Sequence, residues 1–227
     1  MGRHGKRYLD AKKAIDPDRE YEPSEAVSII KQQQLTAFDA TIEVHIRLGV
    51  NVRHAEEQLR GTISLPHGTG ADVSVAVFAE GDKAREAEEA GADVVGSDDL
   101  ATKIQEGFDE FDIAIATPDM MGTVGKLGRI LGPAGKMPNP KSGTVTMDVA
   151  KAVEEVKAGK VEYRTDRAAI VHISIGKLSI PEEELLANSA AVIEEIVRVK
   201  PAATKGRYIL SISMAQTMGP GVRIDTT

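Results

Sequence analysis

From position 38 to 48 the chain alternates strictly. Phe, Ala, Ile, Val, Ile and Leu occupy the even positions, and Asp39, Thr41, Glu43, His45 and Arg47 the odd ones. Period-2 alternation predicts a strand with one buried face and one wet face. Shorter versions recur at residues 61–65, exposing Thr62 and Ser64, at 170–175, exposing His172 and Ser174, and at 208–214, exposing Ser211 and Ser213. Two helical patterns accompany these strands. Residues 25–34, opened by Pro23-Ser24, carry Ala26, Val27, Ile29 and Ile30; residues 182–199 begin after Pro181 and stop at Pro201.

The middle of the chain has another rhythm. Residues 73–79, 93–95 and 111–116 read as short apolar strands, and 82–90, 98–106 and 149–157 as helices ended by Gly91, Gly107 and Gly159. Strands that are apolar throughout, alternating with helices, predict a parallel sheet covered on both faces. The expected fold class is therefore α/β with two domains. Residues 1–67 plus 160–227 form a discontinuous α/β domain with a half-exposed antiparallel sheet. Residues 68–159 form an inserted Rossmann-like three-layer α/β domain. The two crossings, Pro66-His67-Gly68 and Ala158-Gly159-Lys160, are expected to act as a hinge.

The run GTVGKLGRILGPAGKMPNPK, residues 122–141, interrupts these patterns. Glycine permits positive φ, and proline fixes φ and removes a donor. The run is expected to be a shaped cationic loop carrying Lys126, Arg129, Lys136 and Lys141. It is not a P-loop, because Gly125-Lys126 is followed by Leu127 rather than a hydroxyl residue. Its glycine spacing does not supply a dinucleotide fingerprint either. Four basic residues in an acidic region point modestly toward nucleic acid rather than mere solvation.

Composition narrows the classes. At 227 residues with 41% hydrophobic content, a real core is expected. Aromatics are 4% and Trp is absent, which argues against base-stacking platforms. Cysteine is absent, which excludes disulfides, Cys-ligated zinc and thiol catalysis. No apolar run approaches the roughly 20 residues that span a bilayer, so no membrane partner is expected. The basic start, MGRHGKRYLDAKK, lacks an apolar h-region and reads as a short tail or the start of a helix, not a secretory signal. His4, His45, His54, His67 and His172 show no helical metal-ligand spacing, and no G-x-S-x-G elbow occurs. Glu56-Glu57 and Asp98-Asp99 read as solvated or helix-start acids. No catalytic residue, metal or cofactor is expected.

A net charge of −7 opposes long-range attraction to RNA. Its distribution removes the objection. Between Gly68 and Gly159 lie 17 acidic and 9 basic residues; the rest of the chain holds 18 and 19. The outer segments are near neutral and suit recognition by short-range hydrogen bonds.

Three separated motifs carry a resemblance: RGTISLPHG at 60–68, the 122–141 run, and QTMGPGVRI at 216–224. In this order they resemble the family of large-subunit ribosomal proteins that form the mobile stalk beside the tRNA exit site (the L-one family), in its bacterial type. The resemblance spans nearly the whole chain and implies the same two-domain layout. It implies rRNA contacts at Phe38, Thr217, Met218 and Gly219, and by the same match at Thr41, Glu43 and Ser211. By parity alone Phe38 belongs to the core with Ile42 and Val44. From the residues, Thr217 offers a hydroxyl, Gly219 a close backbone approach, and Glu43 an acceptor for a base amino group or a 2′-hydroxyl. Arg60, Arg164 and Arg167 are candidates for phosphate or sugar contacts. The resemblance further implies exit-site tRNA as a partner of the 122–141 run, other ribosomal components, repression through the protein's own messenger, and a cytoplasmic, ribosomal location. Two departures remove charge relative to many relatives: Ala37 stands where a basic residue precedes the Phe, and Ala134 stands where Gly-Pro-Arg-Gly is common. The rival class is a nucleotide-binding α/β enzyme or sensor, whose ligand would sit at the carboxyl ends of the middle strands.

Overall fold

The computed structural model describes residues 5–202, 204 and 206–225. His4 and the first residues of the basic start lie outside them. The chain forms two compact units, one comprising the described residues through Ala71 together with those from Val161 onward, the other Asp72–Lys160.

The first unit contains helices α1 (Lys6–Lys13) and α2 (Pro23–Gln32) and strands β1 (Thr41–Leu48) and β2 (Arg60–Ser64). The second contains β3 (Val75–Phe78), α3 (Asp82–Glu89), β4 (Val94–Gly96), α4 (Asp98–Gln105), β5 (Ile113–Ala116), α5 (Met121–Lys126), α6 (Gly128–Ala134) and α7 (Val149–Lys157). The chain then returns through β6 (Lys160–Arg164), β7 (Ile170–Lys177), α8 (Glu182–Arg198), β8 (Ile209–Gln216) and β9 (Val222–Ile224). The basic start thus becomes a helix from Lys6.

In the first unit β7, β1, β8 and β9 form one sheet in that order, antiparallel throughout, while β2 pairs with β6. Ile42, Val44, Ile46 and Leu48 are fully buried against α2 and α8, and the odd positions of β1 lie on the open face. Pro23 opens α2, and Ala26, Val27 and Ile30 form its buried stripe. Glu182, Glu183 and Glu184 occupy the first turn of α8, where the helix dipole favours negative charge.

In the second unit β4, β3 and β5 are parallel, with β3 central. Val75, Val77 and Ile115 pack with Val149 and Val153 on one face. Ala76, Phe78, Ala114 and Ala116 pack with Leu100, Ile104, Val124, Leu127 and Leu131 on the other. This is a three-layer α/β arrangement.

Two local expectations are overturned. The 122–141 run is not a loop through most of its length; it enters α5 and α6, with a single helical turn at Pro140–Ser142. Val124, Leu127 and Leu131 are buried at spacings of three and four, so core packing overrides the weak helix propensity of glycine. Gly135, at φ 76°, ends α6 in the left-handed region, and the Lys136 N–H closes onto the Leu131 carbonyl at 3.0 Å. The second correction is Phe38. It is not core but 57% exposed. The ladder begins only at Thr41, and the chain bends at residues 37–38, so the alternation does not extend back to Phe38.

Candidate nucleic-acid interface

The structure ties the start of β1 to the end of β8. The Thr217 N–H donates to the Thr41 carbonyl at 2.9 Å, and the Thr41 N–H donates to Thr217 Oγ1 at 3.1 Å. Thr217 Oγ1 in turn donates to the Thr41 carbonyl at 3.2 Å, and Lys177 Nζ donates to Thr41 Oγ1 at 2.9 Å. The Gln216 side-chain amide reaches the Gln33 carbonyl from the same junction. Residues 176 positions apart are thereby locked together.

Beyond this tie the chain turns sharply. Met218 sits at φ 65°, a left-handed conformation that costs a non-glycine residue roughly 1–3 kcal/mol, and its side chain is 75% exposed. Gly219 follows, its N–H on the Gln216 carbonyl at 2.8 Å. A Cβ there would lie 2.5 Å from Cγ of the buried Gln216, so this turn requires glycine. Phe38 and Met218 are large apolar side chains left in solvent on the two segments that flank the tie.

The open sheet face continues away from this junction. Register places Glu43 opposite Ser174 and Ala215, His45 opposite His172 and Ser213, and Arg47 opposite Ile170 and Ser211. Arg223 on β9 pairs with Ser213. His45 and His172 face each other Nδ1 to Nδ1 at 2.8 Å. Burial, then the neighbouring His172, holds the His45 imidazolium below its ordinary pKa, partly offset by Glu43.

The predicted residues do not converge on one point. Thr41, Glu43, Thr217, Met218 and Gly219 gather at one end, with Phe38 just before the strand. Ser211 lies at the other end, six residues along β8, roughly 20 Å away. Arg164 and Arg167 also lie toward that end, lining a cavity of about 480 Å³ with Val52, Gln58, Thr165 and Asp166. Arg60 is engaged: its Nε donates to Glu162 Oε1 at 2.7 Å, with both side chains about two-thirds buried. In the second unit Lys126, Arg129 and Lys141 are exposed. Lys136 is 18% exposed, ion-paired to Asp109 at 2.6 Å and 5.0 Å from the Phe111 ring centre. Sequence reasoning missed Lys177 as a partner of Thr41 and the facing of His45 with His172. Cross-strand register reveals both, and no local pattern does.

An open, hydroxyl-lined sheet face that ends in a strained, exposed apolar loop suits a binding protein. Residues 30–220 match the model of the Ribosomal protein L1p/L10e family, and the chain belongs to that family. It is a structural protein of the large ribosomal subunit that binds rRNA, and not an enzyme. Among the described residues no helix is long and apolar enough to cross a membrane.

Proposed function

We propose that the discontinuous domain, residues 1–67 with 160–227, grips large-subunit rRNA at the base of the mobile stalk through Phe38, Thr41, Glu43, Thr217, Met218 and Gly219. Ser211, Arg164 and Arg167 form a second, phosphate-directed pole, and Arg60 contributes through its pair with Glu162. The observation that carries this reading is the Thr41–Thr217 tie, which is followed by an exposed Met218 in a strained conformation and preceded on the other segment by a solvent-facing Phe38. Strain of this kind persists where the surrounding structure imposes it, and ligand clamps are common sites for it.

Recognition by hydrogen bonds and close fit neutralises few phosphates. The log–log slope of rRNA affinity against salt is therefore expected to be shallow, about −2 to −3. Filter binding from low to moderate salt measures it; a slope near −8 overturns the short-range reading.

The family supports ribosomal components as partners. The inserted domain, residues 68–159, faces exit-site tRNA and assists its release, with Lys126, Arg129 and Lys141 as contacts and Lys136 as a structural brace for them. A photo-crosslinker at position 126 is expected to capture exit-site tRNA on intact ribosomes. Capture of rRNA alone in every functional state refutes the tRNA role. The free protein, cytoplasmic and of bacterial type, also represses its own messenger through an element that imitates the rRNA site. Titrating the stalk rRNA fragment into a translation reaction containing that messenger is expected to relieve the repression; repression that persists at saturating fragment rules out a shared site.

A further inference from the structure

The open face holds a feature that the rRNA-binding reading does not use. His45 on β1 and His172 on β7 are register partners, so their Cβ atoms project side by side from the same face. Their rings meet edge to face, with centroids 4.9 Å apart and the two Nδ1 atoms at 2.8 Å. Neither is sealed in the core: the His172 side chain is 48% exposed.

The far nitrogen of His172 is positioned as well. Its Nε2 lies 3.6 Å from Asp166 Oδ2. Asp166 is itself immobilised, its Oδ1 accepting from the Ala168 N–H at 2.8 Å and the Ile170 N–H at 2.7 Å. Those donors hold the carboxyl below its ordinary pKa, the Ile170 amide contributing most. A carboxylate on the outer ring nitrogen favours the tautomer with hydrogen on Nε2 and makes His172 Nδ1 the lone-pair partner, which without a metal accepts from the His45 Nδ1–H; a metal takes the place of that hydrogen, which shifts to His45 Nε2. This is the outer-shell arrangement that orients metal-ligating imidazoles.

We propose that His45 Nδ1 and His172 Nδ1 form a surface site for a late first-row divalent cation, of which Zn²⁺ is the simplest probe. Zinc–imidazole bonds are about 2.0–2.1 Å, so two ligand nitrogens at a tetrahedral angle stand about 3.4 Å apart. The rings need separate by only about 0.6 Å, a small rotation for half-exposed side chains. Imidazole suits zinc and copper better than hard cations. Among the described residues no three His, Cys, Asp or Glu side chains converge on one point, so water completes the coordination and the site stays open. Glu43, two residues before His45 on the same face, lowers the cost of bringing a dication there; Arg47 and Arg223 are the nearby opposing charges.

The test is calorimetric titration of the full chain with Zn²⁺ in a His4→Ala background, which removes the histidine near the amino terminus. One ion per chain is expected. His45→Asn or His172→Asn should each weaken binding at least tenfold. Asp166→Asn keeps the Oδ1 acceptor but places an amide against Nε2, and should weaken it about 10–100-fold. Affinity should fall as pH is lowered, since protons compete with the metal for both nitrogens. Far-UV dichroism establishes that each variant remains folded. Undiminished one-to-one binding by the folded double variant His45→Asn/His172→Asn, or no heat from the parent protein at millimolar zinc, overturns the proposal.

Discussion

Replacing Asn188 with leucine is expected to lower the stability of the first unit by about 3–5 kcal/mol, a large share of the total for any domain. Asn188 is fully buried on α8, yet it is polar. Its Oδ1 accepts from the His67 N–H at 3.1 Å, and its Nδ2 donates to the Gly68 carbonyl at 2.9 Å and the Ile175 carbonyl at 2.8 Å. One side chain thus satisfies three backbone groups on two separate segments. Leucine matches the volume and supplies none of these bonds, and each orphaned group costs roughly 1–3 kcal/mol where water cannot replace the partner. Asn188→Asp is expected to be no milder, because it sets a carboxylate oxygen against two carbonyls. Urea unfolding of the full chain measures the loss, and hydrogen exchange at residues 67–70 should accelerate with it. A shift below about 1 kcal/mol would mean that the three bonds are replaced by solvent and that Asn188 anchors nothing.

The second large effect concerns RNA. Thr217→Val keeps the side-chain shape and removes the hydroxyl that receives the Thr41 N–H. We expect rRNA affinity to fall about 5–150-fold, the equivalent of roughly 1–3 kcal/mol. Thr217→Ser should retain most of the affinity, because it keeps the oxygen and loses only a methyl group. Gel shifts against a stalk-base rRNA fragment give both values. The pair of variants separates hydrogen bonding from shape: valine binding like the parent, or serine failing as badly as valine, contradicts a clamp built on the Thr41–Thr217 tie.

Much of this architecture was legible in the residue pattern because the deciding forces are local. Alternation at 42–48 states which side chains are buried, and the structure buries those. Pro181 and Pro201 bracket α8 to within a few residues, since proline acts on its own backbone. The apolar strands at 75–78 and 113–116 reflect a sheet covered on both faces. Two strands escaped notice: β6, where three of the five residues are charged, and β9, whose three residues carry Arg223 between two apolar ones.

Residue order settles which faces are apolar, where most elements start and stop, and how charge divides between the middle and the ends. Long-range packing settles the remainder. The glycine-rich run became helix because Val124, Leu127 and Leu131 found a sheet to cover, a gain set by distant strands. Phe38 moved into solvent because the ladder starts three residues after it. Ser211 and Thr217, near in sequence and alike in chemistry, stand at opposite ends of one strand, whereas Thr41 and Thr217, far apart in the chain, share hydrogen bonds. The physical reason is the same in each case. Periodicity reports on a residue's own neighbourhood, while strand register brings remote groups together, and the candidate site is made of remote groups.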